Sequence, residues 1–291
     1  MRQNASAAPA VLALLLNATV WGLSWLPFKA LAARGLHPLW TTAAVFTASL
    51  ALLLWTQRGH VRQALADRRL WWLALAAGCT NVGFNWAVTV GDVVRVVLLF
   101  YLMPVWSVGL AWWLLGEAPT RMALLRLVLA LAGVALVLGR PGMPWPVPES
   151  LSDWLALAAG ASFALTNALL RRWRDTPSGA RALAMFGGGA VTASAVALGA
   201  TALGLTGAVP TPTSAWLPWL ALLMAGFLAS NLALQYGAAR LPAQTTALIM
   251  LSEVVIASAA AVALGAARLE AATLLGGLLI VGAALLAVAR R

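Results

Sequence analysis

The chain has 291 residues, of which 62% are hydrophobic and only 9% charged, and its mean hydropathy is +0.89. Soluble domains carry roughly 25% charged residues, so this composition excludes a water-solvated globular protein and predicts an all-α polytopic membrane protein that contacts the lipid bilayer. The net charge of +11 does not indicate a nucleic-acid partner, because no basic patch is interleaved with aromatic residues.

The sequence has no motif for ATP hydrolysis or metal catalysis. It lacks a glycine-rich phosphate loop ending in Lys-Ser/Thr, a His-Glu-x-x-His sequence and paired cysteines, since Cys79 is the single cysteine. The two histidines, His37 and His60, fall in loops predicted on opposite sides of the membrane. An enzyme is therefore disfavoured, no metal and no cofactor are predicted, and a channel is a further alternative.

Ten apolar segments are long enough to cross a bilayer as helices, which takes about 20 residues each. In chain order they are 10–31, 38–56, 70–90, 94–115, 121–139, 152–171, 181–205, 215–238, 243–265 and 270–289. The first segment could instead be a cleaved signal peptide. A membrane span is favoured, because the apolar run continues to residue 31 and carries polar residues that have counterparts later in the chain.

The positive charges predict that both termini lie in the cytoplasm. With the N-terminus inside, most of the 19 Lys and Arg residues fall in cytoplasmic loops. The exceptions are Lys29, Arg34, Arg95, Arg140 and Arg268. Among the cytoplasmic loop residues, Glu117 is expected to anchor its loop beside Arg121.

The two halves of the chain, 1–140 and 151–291, share a pattern. The sequence "NVGFNW" (81–86) places two amides one helical turn apart before an aromatic residue, and "NLALQY" (231–236) does the same in the second half. Gly133 and Gly282 also match between the halves. Five spans per half is an odd number, so we predict two inverted five-helix repeats within one transmembrane unit. Such repeats are typical of secondary transporters.

Three longer motifs extend this pattern: "WGLSWLPFK" (21–29), "LMPVWSVGLAWWLLGE" (102–117) and "LSEVVIASAAAVALG" (251–265), followed by the spans that contain Gly133 and Gly282. Over nearly the whole chain they resemble the EamA-type ten-helix transporters of the drug/metabolite transporter superfamily. The chain looks most like the YddG-type amino acid exporters of bacterial inner membranes. The resemblance implies export of small metabolites, often amino acids, by alternating access.

Two prolines are predicted hinges, because proline interrupts helical hydrogen bonding. They are Pro27 in the first span and Pro104 in the fourth. The resemblance also implies a Glu-Pro pair in the ninth span, where this chain has Glu253-Val254. The kink expected there is therefore left open. Small residues in the fifth and tenth spans predict close packing between them, as a scaffold or as a dimer face, so monomer and dimer both remain open.

Polar and aromatic residues inside the spans are the predicted substrate-binding residues. Amides are costly in hydrocarbon, so they should face the bundle interior, either as contacts between helices or as cavity lining. Amides both donate and accept hydrogen bonds, which suits a zwitterionic small-molecule substrate such as an amino acid. The predicted set is Asn17, Trp21, Ser24, Trp25, Asn81, Asn85, Trp86, Tyr101, Phe163, Thr166, Asn167, Asn231, Gln235 and Tyr236.

Glu253 is the only acidic residue deep within a predicted span. A carboxylate inside a bilayer is costly, so proton coupling or substrate binding is one interpretation, and a structural pairing is the other. The predicted function is secondary active export of amino acids, aromatic or other neutral ones, with Glu253 as the coupling candidate. The alternative is a small multidrug exporter in which Glu253 is the counter-charge for cations.

Overall fold

The computed structural model describes residues 7–139, 148–208, 210–265, 268 and 270–289. Both chain termini lie outside the described residues, and so does Arg140, one of the charges that the sequence places on the non-cytoplasmic side.

All regular structure in the described part of the chain is helical. Two short 3-10 helices, Arg58–His60 and Ser214–Trp216, precede the third and tenth α-helices. The α-helices are α1 (Ala7–Ala32), α2 (Pro38–Thr56), α3 (Val61–Ala66), α4 (Arg68–Val90), α5 (Val93–Phe100), α6 (Met103–Leu115), α7 (Arg121–Leu138), α8 (Leu151–Arg172), α9 (Ser178–Ala202), α10 (Leu217–Ala238), α11 (Ala243–Met250), α12 (Ser252–Ala263) and α13 (Ala271–Ala289).

Nine stretches of the described chain are long and apolar enough to cross a membrane. Two of these stretches, Arg95–Leu115 and Ala243–Ala263, each contain two consecutive helices. The predicted span 70–90 corresponds to α4, which has 23 residues but is not among the nine. The prediction of an all-α polytopic membrane protein is confirmed, while the division into two inverted repeats stays a prediction.

The helix α4 packs along both α8 and α9. Glycine makes the second of these contacts possible, since a Cβ atom on Gly78 would lie 2.8 Å from the carbonyl oxygen of Gly188 in α9. In the rest of the bundle α1 packs on α10 and α12, α2 packs on α9, and α6 packs on α8. Close approach of backbones through small residues is the usual packing mode of helices in lipid.

The predicted packing of the fifth and tenth spans corresponds to a pair formed by α7 and α13 at the edge of the bundle. Their backbones meet where a Cβ atom on Gly133 would lie 2.6 Å from the carbonyl oxygen of Gly276. A Cβ atom on Gly282, which matches Gly133 in sequence, would have no packing neighbour within 4 Å among the described residues. In α13 the glycine that packs against α7 is therefore Gly276, and not Gly282, which matches Gly133 in sequence.

Both two-helix spans break at matching places. α5 ends at Phe100 before α6 begins, and α11 ends at Met250 before α12 begins. The kink that the sequence left open in the ninth span therefore forms without proline. The hydroxyl of Ser252 donates to the carbonyl oxygen of Ile249 at 2.7 Å and so satisfies one backbone acceptor at the break.

The two predicted hinge prolines occupy different helical positions. Pro104 lies in the first turn of α6, where a proline has no helical hydrogen bond to interrupt. Pro27 lies inside α1, which continues as one helix from Ala7 to Ala32. Neither position tests hinge motion, which stays a prediction.

Candidate functional site

A cavity of about 90 Å³ lies at the centre of the bundle, enough for several water molecules. Nine helices contribute to its wall: α1, α2, α4, α5, α8, α9, α10, α11 and α12. The lining residues are Asn17, Trp21, Phe46, Ala77, Thr80, Asn81, Phe84, Asn85, Phe100, Phe163, Thr166, Met185, Phe186, Phe227, Ser230, Asn231, Leu234, Met250 and Glu253.

Eight of the residues singled out in the sequence converge on this cavity, although they come from five helices. They are Asn17, Trp21, Asn81, Asn85, Phe163, Thr166, Asn231 and Glu253. The remaining members of the predicted set are not among its lining residues. They are Ser24, Trp25, Trp86, Tyr101, Asn167, Gln235 and Tyr236.

Three of the residues outside the cavity wall make other contacts. The hydroxyl of Ser24 donates to the backbone oxygen of Trp21, its own helix, at 2.7 Å. Trp86 packs against the buried cluster formed by α2 and α9. Tyr236 is 39% exposed, and the guanidinium of Arg240 lies 3.6 Å from the centre of its ring.

The other four lie within the bundle and do not line the cavity. Trp25 is half-buried, and Tyr101 is buried beside the cavity. Asn167 and Gln235 are each only 1% exposed. These two amides lie on cavity-lining helices, each directly after a residue of the wall, Thr166 or Leu234.

The sequence missed most of the phenylalanines in the wall and both contributions from α9. The missed lining residues include Phe46, Phe84, Phe100, Met185, Phe186 and Phe227. Apolar residues inside an apolar span carry no signal of their own, because packing faces use the same residue types. Only their convergence in three dimensions distinguishes them.

One side of the cavity is organised by contact between α1 and α10. The amide nitrogen of Asn17 donates to the hydroxyl of Ser230 at 2.6 Å and to the carbonyl oxygen of that residue at 2.9 Å. The ring of Trp21 stacks on Phe227, with 4.4 Å between ring centres. These contacts fix one amide and one aromatic wall.

The repeated amide pairs have different environments. In α4 both amides reach the cavity: Asn81 donates to the backbone oxygen of Ala77 at 2.8 Å, and Asn85 donates to the hydroxyl of Thr42 at 2.7 Å. In α10 only Asn231 reaches it. Its oxygen accepts from the amide nitrogen of Gln235 at 2.7 Å, and its nitrogen lies 3.4 Å from the sulfur of Met185.

Glu253 is the one acidic residue of the described cavity wall, and no Lys or Arg lines it. It lies in the first turn of α12, where the helix dipole favours negative charge. The hydroxyl of Tyr101 is positioned to donate a hydrogen bond to its carboxylate. Behind it, Gly22 lets α1 pass closely, since a Cβ atom there would lie 2.9 Å from the carbonyl oxygen of Glu253.

An ion pair marks each end of α8, on opposite sides of the cavity. At the first end, which we call the Arg95 end, both carboxylate oxygens of Asp153 accept from the Nε of Arg95 at 3.0 Å. One of these oxygens also accepts from the backbone nitrogens of Glu149 and Ser150. The Asp153 side chain is only 1% exposed.

At the second end, which we call the Arg171 end, the carboxylate of Glu117 lies 3.5 Å from the Nε of Arg171. The same carboxylate accepts from the backbone nitrogen of Ala243 at 3.4 Å, and Arg171 donates to the backbone oxygen of Ala239 at 3.1 Å. Glu117 therefore anchors its loop as expected, but its ion-pair partner is Arg171 of α8 rather than Arg121. The sequence could not show this, because the two residues meet only through the packing of α6 on α8.

Comparison with known proteins gives one family and one fold. Residues 8–139 match the model of the EamA-like transporter family. A solved crystal structure with 21% sequence identity superimposes with a TM-score of 0.78, covering 97% of each chain, and it shows the same fold. No curated protein matches the sequence. The chain is thus a multi-pass membrane protein, and its residues 8–139 are similar to the EamA-like transporter family.

Proposed function

We propose that this transporter is a secondary active exporter of amino acids, with neutral and aromatic amino acids as its main substrates. It moves them through the central cavity by alternating access in a bacterial inner membrane, with both chain termini in the cytoplasm. The observation that carries the proposal is one carboxylate, Glu253, in a cavity otherwise lined by aromatic rings and amides.

The chemistry of the wall suits the parts of an amino acid. Its ammonium group would pair with Glu253 in a water-poor site, where a charge-assisted hydrogen bond is strong. Its carboxylate would accept from amide N–H groups, since the bond from Asn81 to Ala77 uses one of the two hydrogens on that nitrogen. An apolar side chain would lie among the phenylalanine rings. A phosphorylated substrate would lack a Lys or Arg partner in the wall.

The packing supports the proposed division into inverted repeats, 1–140 and 151–291. Exchange of the two halves converts the contact of α1 with α10 into the contact of α8 with α4, and both contacts are extensive. The exchange also relates the helix breaks after Phe100 and Met250. A large departure from this symmetry is that α4 packs along α9, whereas the matching pair, α10 and α2, makes far less contact. Two arrangements of related helices are what alternating access requires.

Efflux from proteoliposomes loaded with Trp, Phe, Met or Thr tests the proposal, with and without a pH gradient. We expect saturable efflux that falls by about tenfold or more in Glu253→Gln, because a charge-assisted hydrogen bond is lost. Asn81→Ala should also reduce efflux. It is a clean probe of ligand binding, since the hydrogen bond of Asn81 to Ala77 lies within its own helix.

Glu270→Gln is the matched control, because Glu270 is exposed and lies outside the cavity wall. Efflux in this variant should equal wild type. If no amino acid shows saturable efflux, or if Glu270→Gln reduces efflux as much as Glu253→Gln does, the proposal fails. Flux that does not saturate would indicate a channel.

The second candidate is a small multidrug exporter for cations. It is favoured by the same carboxylate, because a cation stacked among aromatic rings and paired with Glu253 needs no carboxylate-binding group. Efflux of cationic dyes, abolished by Glu253→Gln and unaffected by Asn81→Ala, would support this candidate over the amino acid exporter. In either case, Glu253 is a proton-coupling residue only if Glu253→Gln removes the dependence of efflux on the pH gradient.

A further inference from the structure

Three buried polar residues lie next to the cavity wall, on the side of the Arg171 end. They are Asn167 in α8, Gln235 in α10 and Thr246 in α11, and each is at most 1% exposed. Each lies four residues along its helix from a residue of the cavity wall, namely Phe163, Asn231 and Met250. We call these three residues the polar layer.

The polar layer contains side-chain atoms with no hydrogen-bond partner among the described residues. These are both amide atoms of Asn167, the amide oxygen of Gln235 and the hydroxyl of Thr246. Leaving such a group buried and unsatisfied destabilises the folded protein. Their concentration at one depth on three helices is explained if the layer meets polar groups or water when the helices separate.

One further turn along the same helices reaches the Glu117–Arg171 ion pair. Arg171 follows Asn167 by one turn in α8, and Ala239 follows Gln235 by one turn at the end of α10. Ala243, which precedes Thr246, begins α11. Glu117 and Arg171 bond to the ends of α10 and α11 through these two alanines. The ion pair therefore ties together the ends of the three helices that carry the polar layer.

On the opposite side of the cavity, α8 and α10 have apolar residues at the matching positions. One turn from the wall towards the Arg95 end, α8 presents Ala159 and α10 presents Leu223, and both are buried. In these two helices the polar layer is therefore on one side of the cavity, while other buried side-chain atoms without a partner among the described residues occur in α1, α2, α6, α7 and α9.

We propose that α8, α10 and α11 carry a second substrate subsite, which adjoins the cavity wall on the side of the Arg171 end. Resting on the proposed transport function, the polar layer binds the ammonium and carboxylate groups of an amino acid in transit. The Glu117–Arg171 pair holds the three helix ends together and so closes this subsite to solvent.

Cysteine accessibility tests the inference on the full-length protein in lipid nanodiscs. In a Cys79→Ser background, single changes Asn167→Cys, Gln235→Cys and Thr246→Cys are labelled with a charged, membrane-impermeant maleimide. Labelling should be slow with the ion pair intact and up to about fivefold faster after Glu117→Gln, because bonds that favour the closed arrangement are removed. Arg171→Gln should have the same effect, so the conclusion does not depend on the correct folding of a single variant.

Ala168→Cys is the matched control, since Ala168 is the neighbouring residue in α8 and is also fully buried. Its labelling should not change with Glu117→Gln. Equal acceleration at Ala168→Cys would indicate general loosening and would overturn the subsite. So would unchanged labelling at all three polar-layer positions. The labelling assay needs no substrate, so its result does not depend on the outcome of the amino acid efflux experiment. The two proposals can therefore fail separately.

Discussion

The two ends of α8 are built from the same parts, an acid, an arginine and a helix terminus, but their geometry differs. At the Arg95 end, Asp153 accepts two bonds of 3.0 Å from Arg95, and its side chain is 1% exposed. At the Arg171 end, the ion pair spans 3.5 Å, and the side chains of Arg171 and Glu117 are 22% and 26% exposed. Hydrogen bonds weaken steeply towards 3.5 Å, so the first end is held more tightly.

We interpret the ion pair at the Arg95 end as a structural contact and the ion pair at the Arg171 end as a contact that can open. Asp153 completes a capping box with Ser150 at the start of α8, so its carboxylate both caps the helix and pairs with Arg95. Glu117 lies outside helices and reaches the start of α11 through two long bonds: its carboxylate accepts from the backbone nitrogen of Ala243 and its backbone oxygen accepts from the side-chain nitrogen of Gln244, each at 3.4 Å. Loss of the first contact should cost stability, whereas loss of the second should mainly change the balance between closed and open arrangements.

The largest expected effect is that of Asp153→Ala. Removing one partner of a buried, hydrogen-bonded ion pair costs about 3–5 kcal/mol, because the remaining charge stays buried and the cap is lost. The melting temperature of the protein in detergent should fall strongly. Asp92→Ala is the control. Asp92 caps α5 from an exposed position, and its loss should cost about 1 kcal/mol. Equal losses in the two variants would contradict the comparison.

Glu117→Ala should lower the melting temperature less than Asp153→Ala, by an amount equivalent to about 1 kcal/mol or less. The same detergent melting experiment measures both. A loss as large as that of Asp153→Ala would mean that the Arg171 end is as fixed as the Arg95 end, and would argue against its opening.

Gly91→Ala probes backbone packing at the Arg95 end. A Cβ atom on Gly91 would lie 2.5 Å from the Cβ atom of Ser152, at the start of α8. Overpacking of this kind costs typically 1–3 kcal/mol. Gly199→Ala is the control. A Cβ atom on Gly199 would have no packing neighbour within 4 Å among the described residues, and alanine is a better helix former. The melting temperature should fall for Gly91→Ala and not for Gly199→Ala, and a fall in both would reject this explanation.

The smallest effect is a pH dependence at the start of α2. His37 caps α2 by accepting from the backbone nitrogen of Leu39, and burial lowers the pKa of its imidazole below the ordinary value. The unfolded chain therefore binds this proton first as the pH falls, so stability should decrease below about pH 6.5. Melting at pH 5.5 and 7.5 measures the difference, which should be under about 1 kcal/mol. His37→Asn keeps a capping group that does not titrate and should reduce the difference. If the difference between the two pH values is unchanged in His37→Asn, a group other than His37 causes the pH dependence.

The helical content and the membrane setting follow from the sequence, because hydropathy and span length are local properties of the chain. The amides at 17, 81, 85 and 231 were predictable for the same reason: a polar group in an apolar span must face inward. Their placement in one cavity with Glu253 agrees with that expectation.

Tertiary structure decided what depends on contacts between distant segments. Only packing brings Phe46 and Phe186 to the cavity wall, turns Trp86 and Tyr236 away from it, and pairs Gly133 with Gly276 instead of Gly282. The partner of Glu117 was decided in the same way. The physical reason is that residue type limits whether a side chain meets lipid or protein, whereas the crossing points of the helices determine which protein atoms it meets.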